Sequence, residues 1–138
     1  MTKRERNEYE QRRVLQDAGW KVDKQDKVCF NGGSETNRHY TAKNQVAYVL
    51  SCQGYRIDSE VQNQAGTAEA DIVAYGNGEP PFVVEVETGL TEGVKERKLE
   101  QFYHNTPFCE VYLMEVNELP EDRAEQLEWV LDTVGGEL

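Results

Sequence analysis

No stretch of the chain approaches the roughly 18 consecutive apolar residues of a membrane-spanning helix. Its charged start, MTKRERNEYEQRR, has no apolar segment of the kind a secretory leader carries. Both absences lead to the expectation of a cytoplasmic protein with no membrane partner. Cysteine is scarce: Cys29, Cys52 and Cys109 are odd in number, far apart and free of any CxxC pair. That pattern argues against a disulfide framework or a zinc knuckle and reads as reduced, mostly buried thiols. There is no G-x-S-x-G, no glycine-rich phosphate loop ending in GKS or GKT, and no H-E-x-x-H. The chemistries those motifs serve find no footing. Repeats and low-complexity linkers are also missing, so residues 1 to 138 read as one domain around one modest core.

Positive charge is short as well. Fifteen Lys and Arg face 26 Asp and Glu, for a net charge of -11. This counts against a general nucleic-acid binder, whose non-specific affinity comes from cations neutralising phosphates. An acidic, lysine-poor surface is what a salt-in halophile carries, because at about 1 M salt the Debye length shrinks to about 3 Å. The expectation is a haloarchaeal or haloarchaeal viral protein in which local contacts, rather than net charge, decide binding.

What the chain does have is a hairpin with acids at particular places. Residues 69 to 89 read EADIVAYGNGEPPFVVEVETG. ADIVAY is short, apolar and β-branched, GNGEPP is built of turn formers, and FVVEVE resumes the strand pattern. Alternation puts Phe82, Val84 and Val86 on one face and Val83, Glu85 and Glu87 on the other. Asp71, early in the first strand, lies across a tight hairpin from the Glu85 region. Two carboxylates about 5 Å apart repel by roughly 3 kcal/mol at an effective dielectric of about 20, unless they are protonated, solvated or bridged by a cation. Hard oxygen ligands of this sort suit Mg²⁺, Mn²⁺ or Ca²⁺ better than zinc.

Asp71, then a hairpin, then Glu85-Val86-Glu87 resembles the signature of the PD-(D/E)XK phosphodiesterase superfamily, with Glu87 where the family usually has lysine. The layout of His39-x-x-x-Lys43, a helix, Gly54-Tyr55, a strand containing Glu60 and then the Asp71 hairpin is similar to CoiA-like competence nucleases, over residues 35 to 116. This resemblance implies an α/β fold with a restriction-endonuclease-like core. A mixed β-sheet of about four strands would be flanked by helices in the order αβββαβ, with an extra helix at each end. It implies Mg²⁺ or Mn²⁺ on Asp71 and Glu85, with Glu87 as a third ligand or orienting water, and DNA as substrate. Lys43, Lys95 and Lys98 are the candidates for a cation near phosphorus. Lys43 is preferred because the helix bearing it packs beside the hairpin in the family fold. His39 is an auxiliary for proton transfer or substrate contact, and homodimerisation follows from cutting two strands symmetrically.

The other segments frame this region. A helix is expected over residues 5 to 18 with an apolar stripe of Tyr9, Val14, Leu15 and Ala18. Its cluster of Lys3, Arg4, Arg6, Arg12 and Arg13 is interleaved with Glu5, Glu8 and Glu10, and is either a solvated face or a phosphate contact. NGGSETN leads into a helix from about His39 to Gln53 with Ala42, Val46, Val49 and Leu50 at core spacing. In YRIDSEVQ, Glu60 shares the polar side with Arg56 and Asp58, as a further carboxylate near the metal or a plain exposed acid. Thr88 or Thr91 caps a helix over about Glu92 to His104, whose Lys95 and Lys98 either reach the site or pair along the helix with Glu92, Glu96 and Glu100. CEVYLMEV reads as a strand in a central position covered on both sides. The last helix spans Pro120 to Val134, with Pro120 in its first turn and Leu127, Val130, Leu131 and Val134 on one face.

Two competing readings remain at this level. One is a non-catalytic module that keeps the nuclease-like fold and binds protein or nucleic acid. The other is a small acidic scaffold whose hairpin acids are merely exposed.

Overall fold

Thr2 starts the first helix by accepting the Glu5 amide on its hydroxyl at 3.1 Å. From there α1 (Lys3–Asp17) runs until Gly19, at φ 93°, turns the chain. This computed structural model describes residues 1–23, 26–28, 36–103, 108 and 110–136, with residues 101–103 by backbone alone. Residues 31–35 of the NGGSETN loop, the thiols Cys29 and Cys109, and the side chains of Phe102 and Tyr103 lie outside the described residues. Thr36 caps α2 (Asn37–Cys52) through the His39 amide at 3.1 Å. Three strands follow, β1 (Arg56–Gln62), β2 (Glu69–Tyr75) and β3 (Phe82–Glu87), then α3 (Glu92–Tyr103), β4 (Val111–Glu115), a 3-10 turn at Val116–Glu118 and α4 (Arg123–Val134).

The strands form one mixed sheet in the order β1-β2-β3-β4, antiparallel except for β4, which runs parallel to β3. The architecture is therefore α/β, a four-stranded mixed sheet flanked by helices. On one face, Ala42, Val46, Val49 and Leu50 of α2 pack with Val130 of α4 against Ile57, Ile72, Ala74, Phe82, Val84 and Val86. Burying an aliphatic side chain of this kind stabilises the fold by about 1.5–3 kcal/mol. On the other face, Leu15 and Trp20 cover Val61, Ala70, Val73, Tyr75 and Val83. Among the described residues no helix is long and apolar enough to cross a membrane.

Several expectations change. β4 is an edge strand, not a central one: β2 and β3 take the middle, and Val111, Tyr112 and Leu113 are only half-buried. An apolar run alone does not distinguish these positions. In α1 only Leu15 of the expected stripe is buried, whereas Tyr9 and Val14 are exposed. The helix is held largely by polar contacts instead. Asn7 and Gln11 accept the Gly78 and Gly76 amides at 2.8 and 2.6 Å, and Glu8 pairs with Arg56 at 3.1 Å. Asp58 does not share an exposed polar side; it is fully buried, accepting the Asp23 amide and the Tyr75 hydroxyl. Pro120 precedes α4, which Asp122 caps through the Glu125 amide at 3.2 Å. Cys52 is exposed and unpaired, because it lies in the last turn of α2 on the side away from the sheet-facing stripe.

Candidate metal centre

The β2–β3 ladder pairs Ala74 with Phe82, Val73 with Val83 and Ile72 with Val84, which brings Asp71 opposite Glu85. There the regular pairing stops and side chains take over. The Asp71 amide donates to Glu85 Oε2 at 2.7 Å, and the Val86 amide donates to Asp71 Oδ2 at 2.8 Å. Each carboxylate is thus fixed by the backbone of the other strand. Glu85 is fully buried, and burial, followed by the neighbouring Asp71 charge, pushes its carboxyl well above the usual range against the pull of Lys98. Burial pushes Asp71 up as well, with the Val86 amide opposing it.

Glu87 shares its face with Glu85 as alternation requires, and Lys98 links the two. Its Nζ lies 3.2 Å from Glu85 Oε1 and 2.7 Å from Glu87 Oε1. Burial lowers this ammonium, but Glu85 and Glu87 outweigh it and raise it to about 12. The lysine arrives from α3 because the chain between β3 and α3 is pinned. The Glu115 carboxylate at the end of β4 accepts the Gly89 amide at 2.9 and 3.0 Å and the Leu90 amide at 2.8 Å. Thr91, of the two expected caps, then accepts the Val94 amide at 3.3 Å. Lys95 points elsewhere and pairs with Glu92 at 3.6 Å, the ordinary helical alternative.

His39 and Lys43 stand on the same face of α2, as their spacing requires. The His39 ring donates from Nε2 to the Val86 carbonyl, directly behind the Asp71–Glu85 pair. Lys43 is fully buried, with Nζ 2.6 Å from Glu60 Oε1. Glu60 in turn shares a side-chain hydrogen bond with Glu69, and burial and that partner raise its carboxyl to about 7 while lowering Glu69. Glu69 is the site acid the sequence reading missed. No local pattern pointed to it, because the antiparallel β1–β2 register that pairs Gln62 with Glu69 and so brings position 69 near position 60 is set by the fold.

The donors gathered here are carboxylate oxygens, which suit Mg²⁺ or Mn²⁺. Among the described residues no group of three His, Cys, Asp or Glu forms a ready-made metal cage. Asp71 and Glu85 meet each other, while Glu87 is engaged by Lys98. Two facing carboxylates still fit Mg²⁺, which is commonly held by one or two carboxylates, with water and phosphate oxygens completing its shell. No protein-family model, no curated protein and no solved structure matches this chain.

Proposed function

We propose that the chain is a metal-dependent phosphodiesterase with a restriction-endonuclease-like fold, acting on DNA in processing or defence. The observation that carries this reading is the Asp71–Glu85 pair, a half-buried and a fully buried carboxylate on adjacent strands, each held in place by the other strand's amide. Ionised together, the two carboxylates repel and cost stability, and a divalent cation between them would remove that cost. When bound, Mg²⁺ or Mn²⁺ would polarise the phosphate and lower the pKa of a bound water.

The chain's own residues supply the rest. Asp71 and Glu85 hold the cation, and Glu87 orients water or joins as a further ligand once Lys98 moves to the substrate. Lys98 reaches the place left by the missing triplet lysine and offers its ammonium to the developing charge on phosphorus. It takes this role in preference to Lys43, which is enclosed with Glu60. His39 steadies the backbone at Val86. A homodimer of the chain would let two copies cut the two strands of a duplex symmetrically.

A second reading has one observation in its favour. Lys98 already neutralises Glu85 and Glu87, as a chain that had lost turnover and kept only a binding role would do. A Mn²⁺-dependent cleavage screen over linear, branched and single-stranded DNA in molar KCl separates the two. The phosphodiesterase reading expects cleavage that Glu85→Ala abolishes. No cleavage of any form, together with no Mn²⁺ binding by calorimetry, would leave the binding module.

A further inference from the structure

We propose that buried Lys43 and half-buried Glu60 are a positioning pair whose strained backbone sets the aim of the Asp71 and Glu85 carboxylates. The inference rests on the phosphodiesterase reading only for what those carboxylates do.

Glu60 lies in the middle of β1 with φ at 51°, in the left-handed region that L side chains rarely adopt. Among the described residues only Asp26, outside the strands, is another non-glycine with positive φ. The β1–β2 register runs from Arg56↔Tyr75 to Ser59↔Ile72 and resumes at Val61↔Ala70. The rung left out is Glu60 with Asp71. A strand of unbroken alternation would put Ile57 and Val61 on one face. Instead Ile57 packs in the α2 layer and Val61 in the opposite layer with Leu15 and Trp20. Ile72 and Ala70 divide between the layers in the same way. The turn of the backbone at Glu60 thus reverses the phase of both strands at the level of Asp71.

Strain of this kind persists only where the surroundings over-determine it. Here α2 supplies the constraint. Lys43 is 0% exposed and its Nζ meets Glu60 Oε1 at 2.6 Å, so the ion pair ties the turned backbone of β1 to α2. The interrupted rung frees Asp71 from regular pairing on that side. Its amide then serves Glu85 and its carboxylate takes the Val86 amide. Lys43 acts on the metal pair through Glu60.

The test is an epistatic rescue in the full chain. Metal-free protein in molar KCl is followed by the backbone amide resonances of Asp71 and Val86, and Mn²⁺ affinity by calorimetry. In Lys43→Met the neutral side chain no longer holds Glu60, so both amide resonances shift and Mn²⁺ affinity falls by about 10–100-fold, as for other supporting residues around metal ligands. Adding Glu60→Gly restores both readouts, because glycine adopts the left-handed conformation without help. Unchanged amides in Lys43→Met, or no rescue in the double variant, overturns the proposal. If Lys43→Met does not fold, the doubles Lys43→Met with Glu60→Gly and Lys43→Met with Glu60→Ala replace it. They differ by one methyl group. The glycine double is expected to keep the wild-type amide shifts and the alanine double to lose them, and identical spectra overturn the inference. Loss of Mn²⁺ affinity in both doubles with wild-type amides would make Glu60 a ligand and also overturn it. Wild-type protein that binds no Mn²⁺ refutes the phosphodiesterase reading, and the amide resonances still decide this one.

Discussion

A carboxyl group packed between strands stays ionised only where cations or amides compensate for lost water, and this site compensates unevenly. Glu115 shows the favourable case: burial pushes it up, but the Leu90, Asn117 and Gly89 amides outweigh that and hold it below the usual range. Glu60, Asp71 and Glu85 are all shifted the other way, chiefly by burial. Below the ordinary carboxyl range they are protonated in both the folded and the unfolded chain. Between that range and about 7, where Glu60 titrates, the folded protein binds more protons than the unfolded one. Stability contributed by these groups is therefore present at low pH and lost as pH rises through that window. The melting temperature of the metal-free protein should fall between pH 5 and pH 8, as read by calorimetry at fixed salt. Glu60→Gln should flatten the part of that fall near pH 7. A melting temperature that rises across the window would contradict the assignment of burial as the dominant cause.

At the level of elements, the site is a join between three pieces: the splayed end of the β2–β3 hairpin, α2 behind it and α3 in front. Glu115 and Thr91 set where α3 starts, and so where Lys98 arrives. The far end of the same hairpin is joined to α1 by a close approach at Gly76. This glycine has φ at 85°, and a Cβ there would lie 2.8 Å from Glu8 Cγ and 3.5 Å from the Glu8 backbone. Gly76→Ala should destabilise the protein by more than about 1 kcal/mol, since both the conformation and the space are incompatible with a side chain. Urea unfolding measures it. Because Gly76 lies at the opposite end of β2 from Asp71, Mn²⁺ affinity of the folded fraction should not change.

For the whole molecule the governing quantity is the surplus of negative charge, -11 for the chain. Much of it sits in exposed acids such as Glu79, Glu92, Glu121 and Glu125, which repel one another and any polyanion. Raising salt from about 0.1 M to about 1 M shortens the screening length from about 10 Å to about 3 Å. The melting temperature should therefore climb with KCl over this range, and the slope should diminish in a variant with several of these acids changed to Gln. Salt also weakens the barrier to approach by DNA, so cleavage, if present, should be read at high ionic strength.

The sequence by itself determined the elements and that the two central acids belong to one hairpin. The turn formers of GNGEPP and the alternation of FVVEVE were enough to put Asp71 across a hairpin from the Glu85 region, with the register itself set by the fold, and the 3.6-residue spacing placed Ala42, Val46, Val49 and Leu50 in the core. Those features follow from local periodicity. Only the tertiary structure decided that β4 is an edge strand, that α1 docks through Asn7 and Gln11 rather than an apolar stripe, and that Lys98 rather than Lys95 reaches the hairpin. The left-handed turn at Glu60 was likewise invisible, because regular alternation is the only rule a strand pattern can express. Glu60 there meets a buried ammonium 17 residues away along the chain, and contacts at such separation have no signature in local periodicity.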